Sequence, residues 1–158
     1  EIINTDAEGR LTLADAVYYA TNNLGATKLI DLATLTGACV SALGEQVSGA
    51  VTNNDEFFSE LVKANERAGE IVWRMPTIEY YKKMNESKVA DLKNSGGKLG
   101  GMMTAGLFVG SFLAKEDIPW IHIDIAGTAY ITEKFGYLKE NATGTLVKSL
   151  YYMLSKEA

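Results

Sequence analysis

Short segments with a β-strand pattern alternate along this chain with segments of helical periodicity, and this order constrains the fold more than any other feature. The clearest strand is Trp120 to Ala126, "WIHIDIA", where isoleucines occupy every second position and His122 and Asp124 lie between them. Two further strands are predicted at 28–34 and 47–52. Strands that alternate with helices are typical of an α/β fold, so we predict a sheet covered by helices.

Helical periodicity accounts for much of the remaining chain. The predicted helices cover about 12–24, 38–43, 55–69, 79–84, 102–114 and 144–155. Thr12 followed by Asp15 resembles a capping box, and Asp55 is the predicted cap of the third helix. With 158 residues and 47% hydrophobic content, we predict a single domain that spans residues 1–158.

One long loop is predicted between Ser87 and Gly101, in the sequence "SKVADLKNSGGKLGG". Loops of this length inside a compact domain are usually functional. Its Gly96-Gly97-Lys98 run is not followed by Ser or Thr, as a phosphate-binding loop requires. The glycines therefore favour a mobile loop over a phosphate site.

Composition excludes several classes of function. With 15 basic and 20 acidic side chains the net charge is −5, and no polybasic run offers the positive surface that nucleic-acid binding needs. No apolar stretch reaches the ~18 residues of a membrane span, so we expect no membrane partner. One cysteine, Cys39, and one histidine, His122, form neither an internal disulfide nor a Cys/His zinc site within one chain. Any metal bound here must have mainly oxygen ligands.

The segment Asn4 to Leu11, "NTDAEGRL", places two carboxylates and a guanidinium at alternate positions after Ile2-Ile3. If the backbone is extended, Asp6, Glu8 and Arg10 lie on one side and can converge on one point. Convergent carboxylates repel unless a cation or a shared proton lies between them, which favours a hard divalent metal, with Arg10 available for an oxyanion. The alternative that the charges leave open is a solvated strand end with an Arg–Glu surface pair.

Two other groups have weaker claims to chemistry. His122 lies inside a predicted strand, where a lone histidine is more often a hydrogen-bonded structural residue than a general base. Cys39 lies among small apolar residues, with no suitable partner nearby in the sequence, and is predicted to be a buried thiol rather than a nucleophile.

Five segments together resemble the leucyl aminopeptidase (cytosol aminopeptidase) family. The resemblance to its signature is carried by Asn4 to Ala16, "NTDAEGRLTLADA", a composition that is hard to match by chance. The other four follow in the family's order: "DLATLTGACVSALG" at 31–44, "VWRMP" at 72–76, "VADLKNSGG" at 89–97 and "HIDIAGTA" at 122–129. The resemblance is specific and covers essentially the whole chain.

The resemblance implies the later part of a catalytic domain, an α/β fold with a mixed β-sheet flanked by helices. It implies a cytoplasmic hydrolase, a metalloprotease that acts as an exopeptidase and removes N-terminal residues, preferably leucine or other apolar ones, from peptides. It also implies two divalent metal ions (zinc or manganese, or else magnesium), a bicarbonate, and a homohexamer as the full-length assembly.

Individual roles follow by similarity to the family. Asp6 and Glu8 match metal ligands, with Glu8 bridging the two ions, and Arg10 matches the catalytic arginine. A bicarbonate would be held by Arg10 together with the backbone of Gly9 and Leu11. The positions that match the substrate site are Thr34, Leu35 and Gly37, where backbone groups fix the peptide, and Ala126 and Ala129, which line the pocket for the first side chain.

The family's remaining metal ligands, a lysine and two aspartates, and its catalytic lysine precede the signature. This chain opens on Glu1 without an initiator Met, has no Lys or Asp before Asp6, and offers only Lys88 and Asp91 in the loop, which do not match those motifs. We therefore expect a part of a larger protein that holds about half of the site and is inactive alone. The alternative is a non-catalytic metal-binding or structural module of the same fold.

Overall fold

The computed structural model describes residues 1–155, and its elements alternate as predicted. A short 3₁₀ helix, Thr5–Ala7, comes first. The helices are α1 Gly9–Asn22, α2 Gly37–Leu43, α3 Asp55–Ala68, α4 Glu79–Lys83, α5 Gly101–Gly110 and α6 Val147–Leu154. The strands are β1 Leu29–Ala33, β2 Ser48–Thr52, β3 Val72–Arg74, β4 Trp120–Asp124, β5 Tyr130–Ile131 and β6 Asn141–Ala142.

Four strands form a mixed sheet in the order β1-β4-β2-β3. β1 runs parallel to β4, β4 runs antiparallel to β2, and β2 runs parallel to β3. The mixed sheet of an α/β fold is thereby confirmed. Because Ala33 lies opposite Asp124, the carboxyl ends of β1 and β4 meet at one end of the sheet. The loops that leave these two strands, 34–36 and 125–129, are therefore neighbours.

Helices cover both faces of this sheet. As a result, β2 and β4 are buried along their whole lengths. One face packs against α3 and α6 through Ala50, Phe57, Leu61, Ile121, Ile123 and Leu146. The other packs against α1 and α5 through Val17, Val51, Val109 and Trp120. The alternation in "WIHIDIA" therefore distributes side chains between two helical layers, as expected for a doubly covered sheet.

Two glycines allow α5 to lie directly on the sheet. A Cβ on Gly106 would lie 2.7 Å from Cγ2 of Val51, and one on Gly110 would lie 2.6 Å from Cη2 of Trp120. These distances are shorter than any ordinary carbon–carbon contact, so a larger residue at either position would push the helix away. The small residues of "GMMTAGLFVG" thus set the distance between α5 and the strands.

His122 is fully buried beside α5 and makes structural contacts. Its Nδ1 lies 2.5 Å from Oδ1 of Asp31, and Nε1 of Trp120 donates to the other oxygen, Oδ2, at 2.7 Å. One carboxylate of β1 is thus paired with two side chains of β4. These contacts agree with the structural role predicted for His122.

The beginning of the chain differs from the prediction. Residues 1–4 form no strand, and the Oδ1 of Asn4 caps the 3₁₀ helix by accepting from the N–H of Asp6 at 2.9 Å. α1 begins at Gly9 rather than Thr12, whose hydroxyl donates to the Gly9 carbonyl at 2.8 Å. The apparent capping box at Thr12 lies inside the first turns of the helix, so that assignment is wrong.

Smaller differences concern the ends of other elements. The cap of α3 is Asn54 rather than Asp55, because its Oδ1 accepts from the N–H of Phe57 at 2.8 Å. Strand β3 and the β5–β6 hairpin were not predicted, because each has only two or three residues. Within residues 1–155, no helix has the length and apolar character that crossing a membrane requires.

Candidate active site

Asp6 and Glu8 lie at the junction of two helical segments rather than on an extended strand. Asp6 belongs to the 3₁₀ helix, and Glu8 immediately precedes α1. The extended geometry proposed for their convergence is therefore wrong, because helical side chains two residues apart do not face each other. Both side chains are exposed, and neither carboxylate forms an ion pair within residues 1–155. They remain available to a cation from outside this part of the chain.

The guanidinium of Arg10 is held by the loop that precedes α5. Its Nη1 donates to the main-chain oxygen of Asn94 at 2.9 Å. The Arg–Glu surface pair of the alternative interpretation is not formed, since residues 1–155 contain no ion pair that involves Arg10. Burial lowers the pKa of Arg10, and the negative charge of Asp124 acts in the opposite sense. Arginine nevertheless stays protonated in proteins, so the group remains a cation.

One buried donor of Arg10 is unused. Its Nε is buried and has no hydrogen-bond partner within residues 1–155. Buried donors are almost always paired, so an unpaired N–H on a cation points to an acceptor that is not part of these residues. An oxyanion such as bicarbonate fits this requirement.

The amino end of α1 adds main-chain donors beside Arg10. The helix begins at Gly9, and the first N–H groups of a helix have no partner within it. Leu11 differs, because its N–H donates to the carbonyl of Glu8 at 2.9 Å. Of the three residues assigned to bicarbonate by the resemblance, Gly9 and Arg10 therefore fit an anion better than the backbone of Leu11.

Asp124, at the carboxyl end of β4, joins the two loops that leave the sheet next to Arg10. Its carboxylate is fully buried and accepts from the N–H groups of Leu35 and Ala126, both at 3.1 Å, and from the hydroxyl of Thr36 at 2.6 Å. Sequence alternation placed Asp124 opposite the isoleucines but gave no indication of these partners. A buried carboxylate with several donors on two loops is a strong structural link.

The residues matched to the substrate site lie on these same two loops. Thr34 is exposed and Leu35 half-buried after β1, and Gly37 begins α2. Ala126 and Ala129 are half-buried in the turn after β4, where the N–H of Ala129 donates to Ile125 at 2.9 Å. The structure thus brings both segments that match the family's substrate site to the end of the sheet formed by β1 and β4.

The signature segment contacts the first of these loops. A Cβ built on Gly9 would lie 4.0 Å from Cδ1 of Leu35. The turn after β4 is packed more closely against the residue that follows α2, because a Cβ on Gly127 would lie 2.0 Å from the carbonyl oxygen of Gly44. The start of α1 therefore lies against the loop that follows β1, and the turn after β4 lies against the end of α2.

A complete metal centre is not found in these residues. Within residues 1–155, no three His, Cys, Asp or Glu side chains lie close enough together to hold an ion. Divalent metals in proteins take about four to eight ligands. Asp6 and Glu8 have the right chemistry for hard cations, and further ligands must come from water or from residues other than these.

Cys39 is predicted to resist alkylation. Burial raises the pKa of its thiol to about 11 from 9.0, and the charge of Asp124 acts in the same direction. At pH 8 the thiolate fraction then falls by about 100-fold, and the thiolate is the reactive form. In the full-length native protein, iodoacetamide should label the Cys39 peptide at least about 100-fold more slowly than in urea, as measured by mass spectrometry. Equal rates in both states would show an accessible thiol.

Comparison with known proteins identifies the family. The model of the cytosol aminopeptidase family, catalytic domain, matches residues 1–151. The chain belongs to the cytosol aminopeptidase family. It is 53% identical over 153 residues to a probable cytosol aminopeptidase of Clostridium tetani and 49% identical over 158 residues to leucine aminopeptidase 1 of Arabidopsis thaliana. The resemblance found in the sequence is thereby confirmed.

Solved structures of cytosol aminopeptidase relatives share the fold. A mutant of tomato leucine aminopeptidase superposes with a TM-score of 0.89 at 49% identity, over 97% of this chain and 29% of that one. The bottromycin maturation enzyme BotP in complex with Mn gives a TM-score of 0.91 at 36% identity, over 97% of this chain and 34% of that one. The match to the Clostridium protein covers 97% of this chain and 31% of the relative. The chain thus spans about a third of the length of these family members.

Proposed function

We propose that this chain forms one side of the active site of a metal-dependent aminopeptidase within a longer protein. The observation that carries the proposal is the junction of Asp6, Glu8 and Arg10, where two exposed carboxylates without an internal cation adjoin a guanidinium with an unused buried N–H. Such a junction suits hard cations on one side and an oxyanion on the other. Membership of the family supports the reaction class.

Asp6 and Glu8 would hold two divalent ions, zinc or manganese, or else magnesium, with Glu8 shared between them. When bound, such ions polarise the scissile carbonyl and lower the pKa of the hydrolytic water. The exposed position of both carboxylates supports this role, because ligands from elsewhere in the longer protein can reach them. The manganese in the BotP complex belongs to that relative and supports a divalent ion of this kind here.

Arg10 and Gly9 would hold a bicarbonate, with a smaller contribution from Leu11. The Nε of Arg10 and the N–H groups at the amino end of α1 supply donors of the right kind, one charged and the others on the positive end of a helix. When bound, bicarbonate supplies a general base beside the reacting water. Arg10 itself stabilises negative charge that develops on the substrate.

The two loops that Asp124 joins would bind the N-terminal residue of a peptide. Thr34, Leu35 and Gly37 present backbone groups to the peptide, and Ala126 and Ala129 form the pocket wall for the first side chain. Small residues at the latter positions leave room for leucine or another large apolar group. A homohexamer and a cytoplasmic location complete the proposal, supported by family membership and by the name of the Clostridium relative.

A full-length protein that contains this chain should release leucine from leucine p-nitroanilide, and a chelator should abolish this activity until Mn²⁺ or Zn²⁺ is restored. Residues 1–158 alone should not turn over the substrate with either ion, because no group of three His, Cys, Asp or Glu side chains that could hold a metal ion occurs within residues 1–155. The absorbance of released nitroaniline measures the activity of the full-length protein and of residues 1–158. Undiminished activity after metal removal would contradict the proposal, and an inactive metal-loaded full-length protein would indicate a non-catalytic module.

A further inference from the structure

Asn94 uses every hydrogen-bonding group of its side-chain amide on the segment that carries Asp6. Its Oδ1 accepts from the N–H groups of Ile3 at 3.0 Å and Asn4 at 3.3 Å. Its Nδ2 donates to the carbonyls of Asn4 at 2.7 Å and Ala7 at 3.4 Å. The side chain is 1% exposed, so these bonds are sheltered from water.

The main-chain groups of Asn94 also bond to this segment, one near the start of the chain and one at Arg10. Its N–H donates to the carbonyl of Glu1 at 2.9 Å, and its carbonyl accepts from Nη1 of Arg10 at 2.9 Å. Asn94 therefore contacts residues before and after the two acidic positions. We call these contacts of Asn94 with residues 1–10 the Asn94 clamp.

The clamp is anchored to α5. The N–H of Lys93 donates to the carbonyl of Asn85 at 2.8 Å, and Nδ2 of Asn85 donates to the carbonyl of Thr104 at 2.8 Å. Gly96 lies against the same helix, since a Cβ there would be 2.8 Å from Cγ2 of Thr104. Because α5 packs on the two central strands of the sheet, these hydrogen bonds tie the loop around Asn94 to the buried core of the fold.

The clamp acts on Asp6 through Asn4. The main chain of Asn4 is bonded to Asn94 through both its N–H and its carbonyl, while its side chain caps the 3₁₀ helix at the N–H of Asp6. Ala7, which lies between the two acidic residues, is the other acceptor. The position of the acidic pair relative to Arg10 is therefore set by a residue more than 80 positions away in the sequence.

We propose that Asn94 is a positioning residue that fixes the acidic pair and Arg10 relative to each other, which rests on the proposed function. A hydrophobic contact would allow this segment to slide, whereas four directional bonds from one planar amide define both its distance and its orientation. Partners of this kind behind metal ligands change metal affinity or activity by about 10- to 100-fold when they are mutated. Within residues 1–155, no hydrogen bond of Asn94 goes to either loop assigned to the peptide, so its effect is expected on the chemical step.

The test compares Asn94→Ala with Asn53→Ala in the full-length protein. Asn53 is a matched control, because its side chain also makes hydrogen bonds to main-chain groups, namely those of Glu116 at 3.0 Å, Ile118 at 2.9 Å and Trp120 at 2.9 Å. It lies by Trp120, at the end of β4 opposite Asp124. Both variants should lower the melting temperature, but Asn94→Ala alone should lower kcat, by about 10- to 100-fold with KM little changed.

Hydrogen exchange provides a readout that does not depend on turnover. In Asn94→Ala the amides of residues 3 and 4 should exchange faster than in the wild type, whereas in Asn53→Ala they should not. If Asn94→Ala does not fold, Asn94→Ser, whose hydroxyl can replace part of the hydrogen bonding of the amide, should change kcat and exchange in the same direction by less.

Two outcomes separate this inference from the proposed function. An active wild type whose folded Asn94 variants keep the wild-type kcat, or lose it no more than Asn53→Ala, would overturn the positioning role alone. A metal-loaded wild type without aminopeptidase activity would overturn the proposed function and the positioning role with it. Faster exchange at residues 3 and 4 with a lowered kcat would support both.

Discussion

In a full-length protein that contains this chain, Glu8→Gln is expected to lower kcat/KM for leucine p-nitroanilide by more than about 100-fold, since even the outer partners of metal ligands cost about 10- to 100-fold. The amide keeps the shape of the side chain but removes the negative charge that two cations would share. The carboxylate has no internal ion pair to lose, so the fold should remain stable. Kinetics and metal content by mass spectrometry measure the two effects, and both should fall together.

Glu66→Gln is the matched control for this variant. Glu66 is also an exposed glutamate, but it lies on α3, on the face of the sheet opposite α1. It should keep wild-type metal content and activity. Wild-type activity in Glu8→Gln, or an equal loss in both variants, would remove Glu8 from the metal site.

The layered fold follows from local sequence patterns. Every second residue in "WIHIDIA" is an isoleucine, and Ile121 and Ile123 do face the α3 side of the sheet. The intervening His122 was expected on the other face, and it lies there beside Gly106. Periodicity predicts which face a side chain occupies, because the pleat of a strand fixes it. It does not say what covers that face.

The conformation of the signature could not be obtained in this way. Ile2 and Ile3 suggest a strand, yet both are more than half exposed and pair with no other strand. What holds this segment is Asn94, and no local propensity reports a hydrogen bond across some 90 positions. The useful local signal was Asn4, because asparagine two residues before Asp6 is a favoured helix cap. The hydrogen bonds from Asn94 therefore determine the conformation of this segment, and the β-propensity of Ile2 and Ile3 does not.

The charged residues of the candidate site could be predicted from the sequence, but the residues that hold them in place could not. Asp6, Glu8 and Arg10 stand out because three charges occur at alternate positions in one short segment. Asp124 and Asn94 do not, since a single Asp at the end of a strand or a single Asn in a loop is common. Their importance depends on burial and on partners from other elements, which are properties of the folded chain. The sequence pattern therefore indicates the candidate groups for chemistry but not the residues that hold them in place.

Arg10→Lys is expected to lower kcat by about 10²- to 10³-fold, the usual cost of removing one preorganised donor to a developing charge. A lysine ammonium is a compact charge on a flexible stem, so it cannot donate to Asn94 and also present a second planar N–H where Nε of Arg10 lies. KM should change little, because Arg10 is not among the peptide-lining positions. Steady-state kinetics on leucine p-nitroanilide measure kcat and KM separately.

The pH dependence of activity provides a second test of this variant. Burial lowers the pKa of a cation at this position, as it does for Arg10. Arginine starts high enough to remain charged, whereas lysine starts about two units lower, so the variant should lose its remaining activity at a lower alkaline pH than the wild type. Arg67→Lys is the matched control, because Arg67 lies on α3 against the Tyr152 ring, away from this site. If Arg10→Lys keeps both the wild-type kcat and the wild-type pH profile, the charge alone suffices and the unused Nε donor of Arg10 has no part in the reaction.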